Sequence, residues 1–194
     1  MERASPRQAL GRHPVIPAVR RQEHLEAALA SPAAAVFLLH ATLLDLPGVL
    51  DRCRRARKAV FVHYDLVEGL AGDRSGVEFL ARWARPDGVI TTRSTVVRYS
   101  IEAGLETVLR VFALDSAAVA TAVQVIRKTR PGAVEVLPAS LPAWVFAAIR
   151  AVHGGPLVAG GLIRTRPDIE RALAAGATAV STSDPALWAS APRG

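Results

Sequence analysis

The chain has 194 residues, of which 51% are hydrophobic and 21% are charged, and this composition is typical of a folded domain with a full core rather than of a disordered segment. A single cysteine excludes a disulfide framework and a cysteine metal cluster. No apolar stretch reaches the roughly 20 residues of a membrane span, and no secretory apolar core follows the N-terminal arginines. We therefore expect a cytoplasmic protein with no membrane partner.

The net charge of +7 comes almost wholly from arginine, since the chain has only two lysines, Lys58 and Lys128. An arginine excess favours polyanion partners such as RNA, but a bias toward arginine codons would produce the same surface without any partner. The densest cluster falls at the end of a predicted helix, where cations also offset the helix dipole. The candidate RNA-binding residues in this cluster are Arg52, Arg54, Arg55, Arg57 and Lys58.

Short apolar runs recur along the chain with amphipathic segments between them, the pattern of parallel strands joined by crossover helices. We expect residues 1–13 to be a loose basic segment and residues 14–194 to be one domain. The predicted strands cover residues 15–20, 34–40, 59–65, 88–92, 107–112, 133–138, 156–160 and 178–183.

Eight strand-helix units in this order predict a closed (β/α)8 barrel of the TIM type. Its helices must be short, because 194 residues lies just under the usual lower size of about 200. The alternative is an open doubly wound sheet, which more often has a Gly-rich turn after its first strand. This chain has VRRQEH at that point, so we favour the barrel.

Two segments near the end of the chain have the composition of phosphate-binding turns. AGGLIRT at 159–165 and AVSTSDPALW at 179–188 place small residues after predicted strands, where backbone N–H groups can approach an anion closely. Helix starts are predicted after both turns, and the loops after the last two strands are the usual phosphate site of such barrels. A plain tight turn remains the alternative for the Gly-Gly segment.

Polar residues lie at the ends of other predicted strands. Alternation along the third strand places His63 and Asp65 on one face, with Glu68 in the following turn. The pair could bind a metal, act as acid and base, or close the barrel end by a hydrogen bond. Thr91 ends the fourth strand. Arg110 and Glu135 interrupt later apolar runs, so they either pair with each other or reach a ligand's phosphate and hydroxyl groups.

Five segments together resemble the glycerol-3-phosphate-responsive antiterminator family, and the resemblance extends from about Pro14 to Trp188. It implies a barrel that binds glycerol 3-phosphate as its effector and acts on the leader mRNA of glycerol-catabolism genes, so that polymerase passes a terminator. It also implies a regulator that needs no cofactor rather than an enzyme. The segments are VFVHYDLVEGL (60–70), DGVITTRS (87–94), VEVLPAS (134–140), AGGLIRT (159–165) and AVSTSDPALW (179–188).

The resemblance also assigns the candidate ligand-binding residues, and a homodimer is compatible with the expected RNA binding. FLLHAT at 37–42 departs from the family pattern, because it lacks a small Gly-containing turn and places His40 near the ligand. The phosphate is assigned to Gly160, Gly161, Ser181 and Thr182, with Arg164 and Thr165 beside them. The resemblance assigns the glycerol hydroxyls or a cation such as Mg²⁺ to Asp65, Glu68 and Glu135, and position at the predicted strand ends adds His63, Thr91 and Arg110 to these candidates.

The competing hypothesis is a small barrel enzyme, an isomerase, epimerase or lyase, that acts on a triose or sugar phosphate. It would use the same phosphate turns, with His63, Asp65 and Glu135 as general bases or metal ligands. Schiff-base chemistry is excluded, because it needs a lysine at the barrel mouth and neither Lys58 nor Lys128 is expected there.

Overall fold

The computed structural model describes residues 5–190, which form a closed barrel of eight parallel strands. Each strand pairs with its neighbours in chain order, and the last strand pairs with the first, so that Ile16 lies opposite Ser181. All eight predicted strands and the TIM-type barrel are therefore confirmed. The strands are β1 (Val15–Val19), β2 (Ala35–Leu38), β3 (Ala59–His63), β4 (Gly88–Thr91), β5 (Glu106–Phe112), β6 (Ala133–Leu137), β7 (Leu157–Gly160) and β8 (Ala179–Thr182).

The helices that connect the strands are short, as predicted, and the longest has 14 residues. Each strand ends at the mouth of the barrel and each helix returns the chain to its base, so the helix C-termini gather at the base. A π-helical turn, Leu80–Ala84, extends the fourth helix. Within residues 5–190 the α-helices are α1 (Pro6–Ala9), α2 (Leu25–Ala30), α3 (Leu46–Arg55), α4 (Arg74–Phe79), α5 (Ser94–Glu102), α6 (Ser116–Thr129), α7 (Ala143–Arg150) and α8 (Arg166–Ala174).

Alternation along each strand divides the core into two layers. Outward residues such as Val60 and Val62 pack beneath the helices. Inward residues fill the barrel, where the Phe37 and Phe61 rings meet edge to face with their centroids 5.9 Å apart. Because the interior is filled by side chains, ligand chemistry is confined to the polar groups at the strand ends.

The N-terminal segment closes the base of the barrel from Ser5 onward, which differs from the loose segment that the sequence predicted. Ser5 and Gln8 form a capping box that starts α1. Ala9 and Leu10 then join the apolar cluster inside the barrel, and Leu10 is only 1% exposed. Burial of this leucine fixes the segment, while residues 1–4 of the predicted loose segment lie outside the described residues.

A second, two-stranded sheet lies beside the mouth, where Ala41–Thr42 pairs with Val67–Glu68. The chain turns at the end of β3 into a 3₁₀-helix, Tyr64–Leu66, instead of continuing as a strand to residue 65. Asp65 therefore does not share a strand face with His63, and that part of the prediction is wrong.

Within residues 5–190, no helix combines the length and the apolar character that crossing a lipid bilayer requires.

Candidate functional site

A buried ion pair stands at the centre of the barrel mouth. Nε of Arg110 on β5 donates to Oε2 of Glu135 on β6 at 2.6 Å. Oγ of Ser181 on β8 donates to the other carboxylate oxygen, Oε1, at 2.5 Å. Glu135 is fully buried, so its charge depends on these two donors for compensation.

Gly160, at the end of β7, leaves the space that the Glu135 carboxylate occupies. A Cβ at this position would lie 2.6 Å from Glu135 Oε1 and 2.8 Å from Ser181 Oγ. The next residue, Gly161, has a φ of +77°, a backbone conformation that L side chains rarely adopt. These glycines therefore shape the site, through close approach of the Glu135 carboxylate at Gly160 and through backbone conformation at Gly161, while their assignment to a phosphate stays a prediction.

A cavity of about 290 Å³ opens above the ion pair, and we call it the mouth cavity. This volume is at the lower end of the range for ligand pockets, which favours a ligand of triose size. Its lining joins residues from six strands or the loops that follow them. The lining includes Arg20, Arg110, Glu135, Leu162, Ile163 and Ser181, with Gly161 and Thr182 beside them.

Several donors in the mouth cavity have no partner among residues 5–190. The Nη groups of Arg110 donate no hydrogen bond, because only its Nε contacts Glu135. The backbone N–H groups of Leu162 and Ile163 also find no protein acceptor within the described part of the chain. Free guanidinium and backbone N–H groups around one small cavity are the donors that an anionic group such as phosphate requires.

Arg20 is a further mouth residue, and the sequence reasoning did not select it. It follows β1 directly and lines the mouth cavity with an exposed side chain that makes no ion pair within the described part of the chain. Its position in the sequence could have identified it, because Arg20 ends the first predicted strand just as Thr91 ends the fourth strand. Arg20 therefore adds a second guanidinium on the side of the cavity opposite β5.

His63 points into the barrel at the top of β3 and is 4% exposed. Its Nδ1 is buried and finds no hydrogen-bond partner among the described residues. Burial, and secondarily the nearby Arg110 charge, lowers the pKa of His63 to about 4. The imidazole is therefore neutral at physiological pH and lies beneath the mouth cavity rather than in its lining.

Asp65 ties the loop after β3 to the end of β4. Its carboxylate accepts hydrogen bonds from Thr91 Oγ1 at 3.1 Å and from the Thr92 backbone N–H at 2.9 Å. Nε of Arg93 forms an ion pair with the same carboxylate at 3.0 Å. The fold thus brings Thr91 and Asp65 into contact. Their hydrogen bonds orient the loops after β3 and β4 at the rim of the mouth.

Glu68 and His40 lie in a neighbouring cavity of about 780 Å³, which we call the side cavity. His40 Nδ1 and Glu68 Oε1 are 3.8 Å apart, and both side chains are exposed. The side cavity shares Arg20 and Leu39 with the mouth cavity, so the two are continuous at the rim. Asp65 also lines the side cavity, whereas Glu135 belongs to the mouth cavity.

The residues after Gly161 are used differently from what the sequence predicted. Thr165 caps α8, and the Asp168 carboxylate accepts from the backbone N–H groups of both Arg164 and Thr165. These hydrogen bonds and the nearby Arg171 lower the pKa of Asp168, with the bond from the Thr165 side chain as the largest cause. This carboxylate occupies the helix N-terminus where an anion was expected. After β8 a helix starts at Asp184–Pro185, as predicted, but it is a short 3₁₀-helix, Pro185–Leu187, which the Asp184 carboxylate caps by accepting from the Ala186 N–H.

The described residues contain no group of three or more His, Cys, Asp or Glu side chains positioned to hold a metal ion. Two of the candidate polyol or cation ligands, Asp65 and Glu68, are separated from Glu135 in different cavities. A cation site therefore remains a prediction of the sequence.

The arginine cluster that ends α3 is largely engaged in contacts within the protein. Arg52 pairs with Glu26, and Arg55 pairs with Asp51 at 2.5 Å. Arg54 lies 3.7 Å from Asp51, and Lys58 Nζ donates to two backbone carbonyls in a buried position. Arg57 is exposed after the helix, with a φ of +58°. Most of the predicted RNA-binding charge thus has a partner within the fold.

Comparison with known proteins points to one family. The sequence model of the glycerol-3-phosphate responsive antiterminators matches residues 15–188. The chain is 31% identical to a glycerol uptake operon antiterminator regulatory protein of Listeria monocytogenes, with 91% of this chain and 95% of that one covered and a TM-score of 0.85. An antiterminator-related protein of Thermotoga maritima is also 31% identical, with coverages of 91% and 98% and a TM-score of 0.80.

The protein YgcP of Escherichia coli strain K12, which is uncharacterised, is 29% identical over 182 residues, or 92% of this chain and 93% of its own length. The family match covers all eight barrel strands and both turns that enclose the mouth cavity. The chain therefore belongs to the glycerol-3-phosphate responsive antiterminator family.

Proposed function

We propose that this protein is a cytoplasmic regulator that binds glycerol 3-phosphate in the mouth cavity and acts as an antiterminator on the leader mRNA of glycerol-catabolism genes. Membership of the family supports the regulatory role. The structural observation that carries the ligand assignment is the Arg110–Glu135 ion pair, which lies beneath a small cavity edged by free N–H donors. No cofactor is needed for this function.

The phosphate of the ligand fits the cationic donors of the mouth cavity. Arg110 keeps its Nη groups free while Nε holds Glu135, so the guanidinium can bind an anion without releasing the carboxylate. Arg20 and the N–H groups of Leu162 and Ile163 complete a cradle of donors around the same space. A phosphate placed here would neutralise charge that the fold itself leaves uncompensated.

The glycerol hydroxyls fit the acceptor side of the site. Each carboxylate oxygen of Glu135 accepts one hydrogen bond from the protein and retains lone pairs for a second. A ligand hydroxyl would donate to these lone pairs. The proposed ligand thus has its anionic end toward the arginines and its polyol end toward Glu135 and Ser181.

The alternative of an enzyme that acts on a triose or sugar phosphate finds weaker support in the geometry. Glu135 is held in an ion pair with Arg110, so the fold already engages this carboxylate, and the pKa of His63 is lowered to about 4 by burial and by Arg110, so the imidazole is only a weak base. Lys58 donates to the backbone carbonyls of Ser31 and Ala33, and Lys128 lies on α6, so neither lysine is placed for a Schiff base.

Thermal unfolding with a panel of small phosphates tests the ligand assignment. Glycerol 3-phosphate at about 100 times its Kd should raise the unfolding free energy by roughly 2.7 kcal/mol, whereas glycerol and inorganic phosphate should have smaller effects. Each sample should also be assayed for consumption of the ligand. A larger response to a pentose phosphate, or turnover of any ligand, would contradict the regulator and favour the enzyme.

RNA binding and the remaining partners require separate measurements. Affinity for the leader mRNA should be measured with and without glycerol 3-phosphate, because a ligand shifts a protein only by its difference in affinity between two states. Sedimentation of the same samples tests the proposed homodimer. Thermal unfolding with and without Mg²⁺ tests the proposed cation, because a bound cation should raise the stability of the protein. An RNA affinity that glycerol 3-phosphate leaves unchanged would contradict ligand-responsive antitermination.

A further inference from the structure

A large cavity lies at the base of the barrel, opposite the mouth. It is an open groove of about 1090 Å³, which we call the basal groove. Its rim is formed where α1, the end of α6 and the end of α7 approach one another. The lining includes Arg7, Arg127, Arg130, Gly132, Arg150 and His153.

Four arginines and no carboxylate line the basal groove. Arg127 and Arg130 are exposed and make no ion pair or hydrogen bond through their side chains within residues 5–190. Arg150 is held in place by hydrogen bonds to Gly155 O and Thr178 Oγ1. The groove therefore has two uncompensated guanidinium groups beside one that is already oriented.

Arg7 adds a fourth cation from α1. It forms an ion pair with Glu106 at 3.2 Å, and its side chain nevertheless remains 53% exposed. Glu106 begins β5 and is the carboxylate that approaches this rim through Arg7. The local charge stays positive after this pairing, because the other three arginines have no carboxylate partner among the described residues.

Cations at helix C-termini also offset the helix dipole, and this effect alone would account for some basic residues at the base. The end of α6 has more cations than this effect requires, because Arg127, Lys128 and Arg130 fall within four consecutive residues. Arginine also occupies the left-handed position that ends a helix at Arg57, Arg85 and Arg130, where glycine is the unstrained choice. Charge is thus placed at the base even where the backbone would favour glycine.

We propose that the basal groove binds the phosphate backbone of single-stranded RNA. This inference rests on the proposed function, which supplies RNA as the partner. Guanidinium groups bind phosphate through paired N–H donors, and Arg127 and Arg130 have such donors free on one open surface. The α3 cluster is less suited, because its charges are largely paired with Glu26 and Asp51.

The position of the basal groove would keep bound RNA apart from bound glycerol 3-phosphate. The mouth cavity opens at the C-terminal ends of the strands and the basal groove at their N-terminal ends, with the filled barrel between them. RNA in the basal groove would leave the mouth cavity open to glycerol 3-phosphate. Both ligands can therefore bind to one molecule without competing for space.

Binding of a short, mixed-sequence, fluorescently labelled single-stranded RNA tests the proposal. The double variant Arg127→Gln/Arg130→Asn removes the two free charges, and asparagine tolerates the left-handed conformation at position 130. Arg52→Gln/Arg55→Gln is the matched control, because it removes the same charge from α3. Thermal unfolding with glycerol 3-phosphate checks that both variants fold and keep the mouth cavity.

We expect the basal variant to bind RNA about tenfold more weakly than the wild type. The slope of log affinity against log salt concentration should become less steep by about 1.4, because each phosphate contact to a single strand contributes about 0.7 and the variant loses two contacts. The α3 variant should change neither value by as much. Equal weakening of both variants, or weakening of the α3 variant alone, would overturn the proposal.

Two further outcomes distinguish this inference from the proposed function. If the wild type binds RNA and the basal variant binds it equally well, the basal groove is not the RNA-binding surface, but the proposed regulatory function still stands. No binding of RNA by the wild type in any ligand state would remove the proposed function together with the inference. Equally tight binding of polyglutamate would show a surface for acidic protein segments and would also overturn the proposal.

Discussion

Arg110 and Glu135 face each other across neighbouring strands at the barrel mouth, with Nε and Oε2 2.6 Å apart and side-chain exposures of 11% and 1%. Only one edge of the guanidinium is used for this contact. A buried ion pair is weak evidence for stability, since its desolvation cost offsets its attraction. Here the pair aims free donors and a charged acceptor into one cavity, which suits recognition of a small ligand with both anionic and hydroxyl groups.

Removal of Arg110 should leave the buried Glu135 carboxylate with Ser181 as its remaining donor. We expect Arg110→Met to lower the free energy of unfolding by about 3 kcal/mol and to abolish glycerol 3-phosphate binding. The double variant Arg110→Met/Glu135→Leu should regain stability to within about 1 kcal/mol of the wild type without regaining the ligand. Urea unfolding and ligand titration measure both effects. Normal ligand affinity in either variant would place the phosphate elsewhere.

Gly160→Ala tests the close approach of β7 to Glu135. The new Cβ would lie 2.6 Å from a carboxylate oxygen at the centre of the site, so we expect weaker glycerol 3-phosphate binding. Overpacking of this kind should lower stability by about 1–3 kcal/mol. Gly48→Ala in α3 is the control, because nothing lies within 4 Å of its Cβ position, and it should be neutral or slightly stabilising. A tolerated Gly160→Ala variant with full affinity would contradict the geometry.

Acid should destabilise the protein through His63. Its pKa of about 4 in the folded state lies below the unfolded value of 6.5, so the unfolded chain binds the proton first and stability falls from about pH 6.5 down to about pH 4. The loss attributable to this histidine should approach about 3 kcal/mol. His63→Leu should flatten the decline in urea unfolding measured across that range.

His153 provides the comparison for this prediction. Burial also lowers the pKa of His153, so its contribution has the same sign, and the double variant His63→Leu/His153→Gln should be flatter still. If His63→Leu keeps the acid sensitivity of the wild type, the imidazole is not the buried neutral group described above.

Asp65→Asn separates a loop-orienting role from direct ligand contact. The variant loses the ion pair with Arg93 and weakens the hydrogen bonds from Thr91 and Thr92, which should cost about 1–2 kcal/mol of stability. Ligand affinity should change little, since these partners already engage the carboxylate. Glu68→Gln, on the exposed rim of the side cavity, is the matched control and should leave stability within about 0.5 kcal/mol. A large loss of affinity with unchanged stability would make Asp65 a ligand residue.

Local patterns in the sequence predicted much of the fold. Apolar runs were long enough to identify every barrel strand, because strands buried on both faces are apolar over most of their length and carry their few polar residues mainly near the ends. Two contacts that the sequence analysis missed are also local. Asp51 and Arg55 are four residues apart on one helix, and Thr165 and Asp168 have the spacing of a capping box. Both could have been found by residue spacing.

Other features depend on contacts between distant residues. Glu26 neutralises Arg52 from a different helix, so the α3 cluster looked more available in the sequence than it is in the fold. Leu10 is buried only because the barrel base offers an apolar opening, which no pattern within residues 1–13 indicates. Charge and hydropathy along the chain describe a side chain, but its partners decide whether it is free.

The sequence by itself determined the barrel, the strand ends that carry polar groups and the glycines of the last turns, since these follow from hydrophobic periodicity and from local backbone conformation. Only the tertiary structure decided which of those groups meet. Glu135 and Ser181 are 46 residues apart and converge because closure of the barrel brings β6 and β8 to one cavity. The same closure separates Glu68 from Glu135, and it gathers the helix C-termini and their free arginines at the opposite end.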